Sequence, residues 1–210
     1  MKIMFLGDVM GRAGRSAITD HLPRLRKDWK LDFVVVNGEN ATNGAGLSPD
    51  HAKAILDAGA DVVTLGDHAF DQKDMLSFID KEPRIIRPLN FSKASPGAGA
   101  RVFSDARGRK VLVVQALGQV FMKRPFDDPF SALDAVLKQY PMGGCRPRWL
   151  ISPARRRPKR WPSATIAMAA PVSLSAPIPT CPRQMRWCCR AGRRFSPTLA
   201  CAATITLSSA

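Results

Sequence analysis

Asp8, Glu39, Asn40, Asp67 and His68 are the residues whose types and spacing can do chemistry in this sequence. The first four offer hard oxygen donors of the kind that Mg, Mn, Fe or Zn accept. A carboxylate that bridges two cations makes a two-metal site, which can activate a water and stabilise in-line displacement at phosphorus. His68 directly follows Asp67. An imidazole on such a rim can donate a proton to a leaving oxygen or offset developing charge. Each group follows an apolar run. Ile3-Met4-Phe5-Leu6 leads into Gly7-Asp8. Phe33-Val34-Val35-Val36 leads into Asn37-Gly38-Glu39-Asn40. Val62-Val63-Thr64-Leu65 leads into Gly66-Asp67-His68-Ala69-Phe70-Asp71. One Gly-Asp after a strand is a weak signal, because solvated turn residues look the same. Three such ends together favour a metal site.

These residues need a scaffold that brings three strand ends to one rim. The pattern predicts strands over about 2–6, 33–37 and 61–65, the second a continuous apolar run buried on both faces. Helices are predicted over about 15–29, from Ser48-Pro49 to about 58, and over 71–79, with Ser48 as N-cap and Pro49 at the first helical position. Residues 85–91 read as an edge strand because of Pro88. Strands near 102–103 and 110–115 and a helix over about 130–140 complete the alternation, which gives an α/β class. In such folds ligands gather at the carboxyl ends of the strands. The glycine-rich loop Gly7–Gly14 has neither Gly-x-Gly-x-x-Gly nor Walker spacing, so a dinucleotide site is set aside. His21 reads as a helix-surface residue and His51 as a solvated one. For Asp71, an orienting role in the loop and a catalytic one are equally open.

Composition splits the chain in two. The net charge of +15 suggests nucleic acid or membrane until it is mapped. Residues 1–144 hold 20 Lys and Arg against all 17 acids, a net of +3; residues 145–210 hold 12 Lys and Arg and no acid. All five Cys (145, 181, 188, 189 and 201) lie in this second part, with no Cys-x-x-Cys pair and no His to complete a zinc site. The same stretch holds nine Pro and no clear period of 2 or 3.6, so no element is assigned to it and poor order is expected. Its Arg residues lack the aromatic interleaving of a designed nucleic-acid site. Met1-Lys2 leads straight into a strand, without a leader, and no apolar run reaches the roughly twenty residues that span a bilayer. The expected location is the cytoplasm, and a disulfide framework is not expected.

Gly7-Asp8-Val9-Met10-Gly11-Arg12, Val36-Asn37-Gly38-Glu39-Asn40-Ala41 and Gly66-Asp67-His68-Ala69-Phe70-Asp71-Gln72-Lys73 together resemble the YmdB-like metallophosphoesterases. Arg87-Pro88-Leu89-Asn90-Phe91 and Phe121-Met122 continue the likeness, which covers residues 1 to about 144. The resemblance implies a calcineurin-like αββα sandwich, here incomplete at the C-terminus. It also implies two divalent metal ions, Fe or Mn first and Mg or Zn as alternatives, and hydrolysis of a small phosphodiester such as a 2′,3′-cyclic nucleotide. Carried over motif by motif, Asp8 and Asn40 would bind one metal and Glu39 both. Asp67 would bind the second, and His68 would be the proton donor. Homo-oligomerisation stays open. The sequence departs from the family at Asp67, where Asn is usual; Asp keeps an oxygen ligand and adds charge. The family also has three C-terminal His ligands, one in Asp-Phe-His and two in Gly-Thr-His-Thr-His-Val-Pro, and no His follows His68 here.

The missing motif has a counterpart in another reading frame. Ala176-Pro177-Ile178-Pro179-Thr180-Cys181-Pro182 is encodable as GCA CCC ATA CCC ACG TGC CCC. Begun one base earlier, after a G, it reads Gly-Thr-His-Thr-His-Val-Pro. The same offset turns Arg186–Gly192 into Ala-Met-Val-Leu-Pro-Gly-Gly and Thr198–Thr204 into Asp-Ala-Gly-Met-Cys-Gly-Asp, both similar to the family's continuation and in the right order. Leu150–Pro153 regroups to Asp-Phe-Pro, which does not fit. A frameshift near Gly144-Cys145 would account for the missing acids and the surplus Arg, Cys and Trp. The rival reading is a non-catalytic nucleic-acid-binding protein that uses the basic residues 145–210.

Overall fold

A computed structural model describes residues 1–118 and 126–140, together with the backbone of two later strands, 165–171 and 202–206. The order is β1 (Lys2–Leu6), α1 (Gly11–Asp28), β2 (Phe33–Asn37), α2 (Pro49–Asp57), β3 (Val62–Thr64), α3 (Asp74–Phe78), β4 (Ile85–Ile86), β5 (Ala100–Ser104), β6 (Lys110–Leu117), α4 (Pro129–Gln139), β7 (Thr165–Pro171) and β8 (Ala202–Thr206).

The strands form two sheets. The first has the order β4-β3-β2-β1-β8 and the second β5-β6-β7. Strands β1 to β4 run parallel, so their carboxyl ends share one rim. Alternation along each strand separates the layers. Val34, Val36 and Val63 turn to one face, where Ile18 and Leu22 of α1, Ile55 and Leu56 of α2 and Met75 of α3 cover them. Ile3, Phe5, Phe33, Val35 and Val62 turn to the other face and meet Val111 and Val113 of β6. The far side of β6 carries Leu112 and Val114 under Val136 of α4. Helices, sheet, sheet and helix therefore stack as four layers, the α/β architecture of an αββα sandwich. All five residues of β2 are buried, which is why its run is apolar rather than alternating.

The predicted elements are present; α3 begins at Asp74 rather than at 71, and four further differences matter more. First, α1 begins at Gly11, not near 15. Gly14 permits this: a Cβ there would lie 3.0 Å from Val9 Cγ1, so the helix packs closely on the preceding turn. Second, the predicted strand over 85–91 is a strand only at Ile85–Ile86, at the edge of the sheet. Arg87 turns its guanidinium to the carbonyls of Pro96, Pro88 and Ser95, and Pro88 follows. Third, β7 and β8 occupy a region to which the sequence pattern assigned nothing. Strand β7 runs antiparallel to β6 and β8 antiparallel to β1. Both are short runs of small, apolar and β-branched residues, in which backbone pairing needs no amphipathic period. Fourth, His51 is not simply solvated: its Nδ1 lies 2.8 Å from Thr42 Oγ1. Phe121-Met122 and the Cys, Trp187 and Arg155-Arg156-Arg157 of the basic segment lie outside the described residues. Among the described residues, no helix is long and apolar enough to cross a membrane.

Candidate metal centre

Three turns leave the rim of the parallel sheet, and backbone hydrogen bonds join them. Val9 N–H donates to the Asn37 carbonyl at 3.1 Å, and Gly11 N–H to the Asn40 carbonyl at 2.9 Å. Gly38 N–H donates to the Thr64 carbonyl at 2.9 Å. Asp8 sits in the first turn with φ +51°, a left-handed conformation that Asp tolerates better than most residues. Its Oδ1 accepts from Asn40 Nδ2 at 2.7 Å. The first two predicted ligands thus touch.

Glu39 is the buried member, 6% exposed. Its carboxylate lies over Gly66: a Cβ at that glycine would fall 1.3 Å from Glu39 Oε2. Only glycine leaves that space open. Burial raises the Glu39 pKa, the charges of Asp67 and Asp8 raise it further, and His68 opposes them only in part; the result is a carboxyl pushed up to about 8. Glu39 Oε2 has no hydrogen-bond partner among the described residues.

His68 lies beside these acids. Its Nε2 is 3.9 Å from Asp67 Oδ2, and its Nδ1 is 2.5 Å from Asp71 Oδ2. Burial pulls the imidazole pKa down, but the Asp71 hydrogen bond and the charges of Asp67, Asp71 and Glu39 outweigh it, so the net shift is upward. Asp71 therefore holds the ring through Nδ1–H and leaves Nε2 toward the acids. The side chain stays 41% exposed, open to a ligand from solvent.

A braced loop closes one side. Arg15 donates to the Ala41 carbonyl. Thr42 Oγ1 accepts from Ser48 N–H at 2.9 Å, and Gln72 Nε2 donates to the Ala45 carbonyl at 2.6 Å. Gly46 has φ +82°, and a Cβ there would lie 3.0 Å from the His68 carbonyl. The 41–47 loop is thus clamped against the His68 turn.

The donor chemistry suits a cation. Three carboxylates repel one another across a partly buried rim, and one carboxylate oxygen is orphaned. A positive charge would relieve the repulsion. Among the described residues, no three His, Cys, Asp or Glu side chains converge closely enough to hold a metal as they stand. The cluster is open rather than a closed cage. The structure brings together all five predicted residues and adds Asp71 to them. The sequence reading missed Asn37, Thr64 and Gln115, three buried polar residues just behind the rim. A polar side chain at an inward position of an otherwise apolar strand was the available signal.

Comparisons with known proteins cover about two-thirds of the chain. A family described as YmdB-like protein matches residues 4–146. The 2′,3′-cyclic-nucleotide 2′-phosphodiesterase of Bacillus subtilis (strain 168) is 37% identical over 139 residues, 66% of this chain and 52% of that protein. A hypothetical protein from Thermus thermophilus, solved by crystallography, superposes with a TM-score of 0.62 at 40% identity, over 66% of this chain and 53% of the other. A crystal structure described as a novel phosphatase from Mycoplasma pneumoniae gives 0.61 at 33% identity, over 66% and 51%. The chain spans about half the length of the relatives it matches.

Proposed function

The chain belongs to the YmdB-like family, and from that premise we propose that residues 1–144 carry the front half of a metal-dependent phosphodiesterase site for substrates of the 2′,3′-cyclic-nucleotide type. The observation that carries this reading is Glu39, a buried carboxylate beside the charges of Asp67 and Asp8 and next to the Asp71-His68 pair. Asp8 and Asn40 would hold one divalent cation, Asp67 a second, and Glu39 both. Fe or Mn fits this mixed oxygen set with missing nitrogen ligands, and Mg or Zn is compatible. Bound there, the cations would polarise a phosphoryl oxygen and offset charge that develops at phosphorus.

The chain's own residues do the rest. Asp71 fixes the imidazole through Nδ1, so that Nε2 is the position from which His68 hands a proton to the leaving oxygen. The clamped 41–47 loop holds Asn40 and Glu39 in register with that ring. Gly66 leaves room for the bridging carboxylate.

As written, the chain lacks the nitrogen ligands that the family places after this half, since no His follows His68. It should therefore turn over little substrate. The family match stops at residue 146, and the acids stop at Asp134, which supports a frameshift near Gly144-Cys145. Resequencing the DNA from the Tyr140 to the Pro182 codon tests that directly. Manganese titration tests the site: fewer than two ions for the chain as written, and two for a version with the alternative frame restored. The restored protein should hydrolyse 2′,3′-cyclic AMP and lose that activity with His68→Ala. Two tightly bound ions in the chain as written would overturn the half-site. Hydrolysis unchanged by His68→Ala would overturn the acid role. The basic segment, with 12 bases and no acid, favours one other reading, RNA binding. Salt-sensitive RNA binding lost on deleting residues 145–210, with no hydrolysis by the restored protein, would support that instead.

A further inference from the structure

We propose that Asn37, Thr64 and Gln115 line a buried pocket for ordered water behind the carboxylates, and that this water holds the inward oxygen of Glu39. The three side chains face the same interlayer space. Strand alternation puts Asn37 with Phe33 and Val35, and Thr64 with Val62, on the face of the parallel sheet that meets β6. The same alternation puts Gln115 with Val111 and Val113, facing back. Asn37 and Thr64 are register neighbours on β2 and β3. Ile86 lies beside Thr64, and Leu89, three residues on, donates its N–H to the Gln115 carbonyl at 2.6 Å. Gln115 therefore faces the carboxyl ends of the strands, where the rim begins. Glu39 and Gly66 follow two residues after Asn37 and Thr64 respectively, and the Glu39 carboxylate fills the place of a Gly66 Cβ.

All three residues are at most 2% exposed. Asn37 Nδ2 and Oδ1, Thr64 Oγ1, Gln115 Nε2 and Oε1, and Glu39 Oε2 have no hydrogen-bond partner among the described residues. Buried polar atoms are costly when unpaired, so six of them call for a ligand. The mixture decides which one. A cation would leave the amide N–H groups unpaired, and an anion would meet the carboxylate. Water offers two donors and two acceptors, and buried waters make about three hydrogen bonds to groups like these. One water donating to Glu39 Oε2 and accepting from an amide or the hydroxyl links the pocket to the rim. Asn37, Thr64 and Gln115 are then positioning residues for Glu39. The hydration rests on the orphaned atoms alone; its effect on metal binding rests on the role proposed for Glu39.

Water relaxation dispersion (²H and ¹⁷O) on the metal-free full chain counts internal waters with long residence times. Thr64→Val and Gln115→Met should each lose at least one, and Thr64→Ser, which keeps the hydroxyl, should retain the count. Mn²⁺ affinity, read by electron paramagnetic resonance, should fall about 10–100-fold in the first two variants and recover in Thr64→Ser. Thermal unfolding checks that each variant folds. An unchanged water count in a folded Thr64→Val and Gln115→Met would overturn the pocket. Lost water with unchanged Mn²⁺ affinity would overturn its hold on Glu39. A wild-type chain that binds no Mn²⁺ would overturn the metal reading instead, and the water count would still decide the pocket.

Discussion

Replacing Gly66 with alanine asks whether the carboxylate over that glycine organises the rim. The new Cβ would lie 1.3 Å from Glu39 Oε2, 2.3 Å from its Cδ and 2.8 Å from Oε1. Restoring ordinary contact requires the carboxylate to move by about 2 Å, against the roughly 0.5 Å within which a ligand must be held. Nor can the carboxylate swing freely, because Glu39 is buried and shares a hydrogen bond with Asp67. Overpacking of this kind costs about 1–3 kcal/mol. For a chain of this length that is roughly a 2–12 °C drop in the unfolding midpoint. Mn²⁺ affinity should fall, by no more than it does in Glu39→Ala. A double-mutant cycle separates the cause: in a Glu39→Ala background, Gly66→Ala should cost little further stability and no further Mn²⁺ affinity. Calorimetric unfolding and Mn²⁺ titration read both arms. Equal stability losses with and without Glu39 would refute the reasoning, because the clash would then lie elsewhere.

Other residues give simpler tests. Asn90 is buried and donates to the carbonyls of Leu117 and Asp127, while its Oδ1 accepts from Leu117 N–H. Asn90→Ala orphans these buried groups and should cost about 2–4 kcal/mol in urea unfolding; a change within experimental error would mean the bonds do not form. Ile55 of α2 is fully buried against the parallel sheet, and Ile55→Ala should cost about 2–5 kcal/mol by the same assay. Burial alone would raise the carboxyl pKa of Asp105, yet bonds from Arg109 and Arg107 hold it below the usual carboxylate range. A pKa depressed on folding gives stability that is present above the unfolded value of 3.8 and fades as pH falls through the lower folded one. Asp105→Asn should therefore flatten the loss of stability below about pH 4, measured as midpoint against pH, and an unaltered acid limb would contradict the assignment.

The parallel sheet was legible because its physics is local. Runs such as Phe33-Val34-Val35-Val36 are apolar on both faces, and their short length and β-branched residues mark them as buried strand. The site residues were legible for a related reason, since ligand-type side chains immediately after such runs all reach one rim. Where sequence pattern and structure part, a long-range contact decides. The first turn of α1 looked like loop because Gly11 and Gly14 argue against helix, but Gly14 is where the helix leans on Val9. The stretch after Ile86 looked like strand, but Arg87 finds carbonyls in the 95–96 turn instead. His51 looked solvated because its partner, Thr42, lies on a loop whose path no periodicity reports. Strands β7 and β8 take their places beside β6 and β1, a pairing that resides in the partner strands rather than in their own patterns. Asn37, Thr64 and Gln115 join both kinds of case. Each was visible as one polar residue in an apolar run, yet only the facing of two sheets turns the three toward one interlayer space. A polar residue at an inward strand position, at the cost of an unpaired amide, is best explained by what it holds, and the water proposed for that space is a ligand that suits donors and acceptors alike.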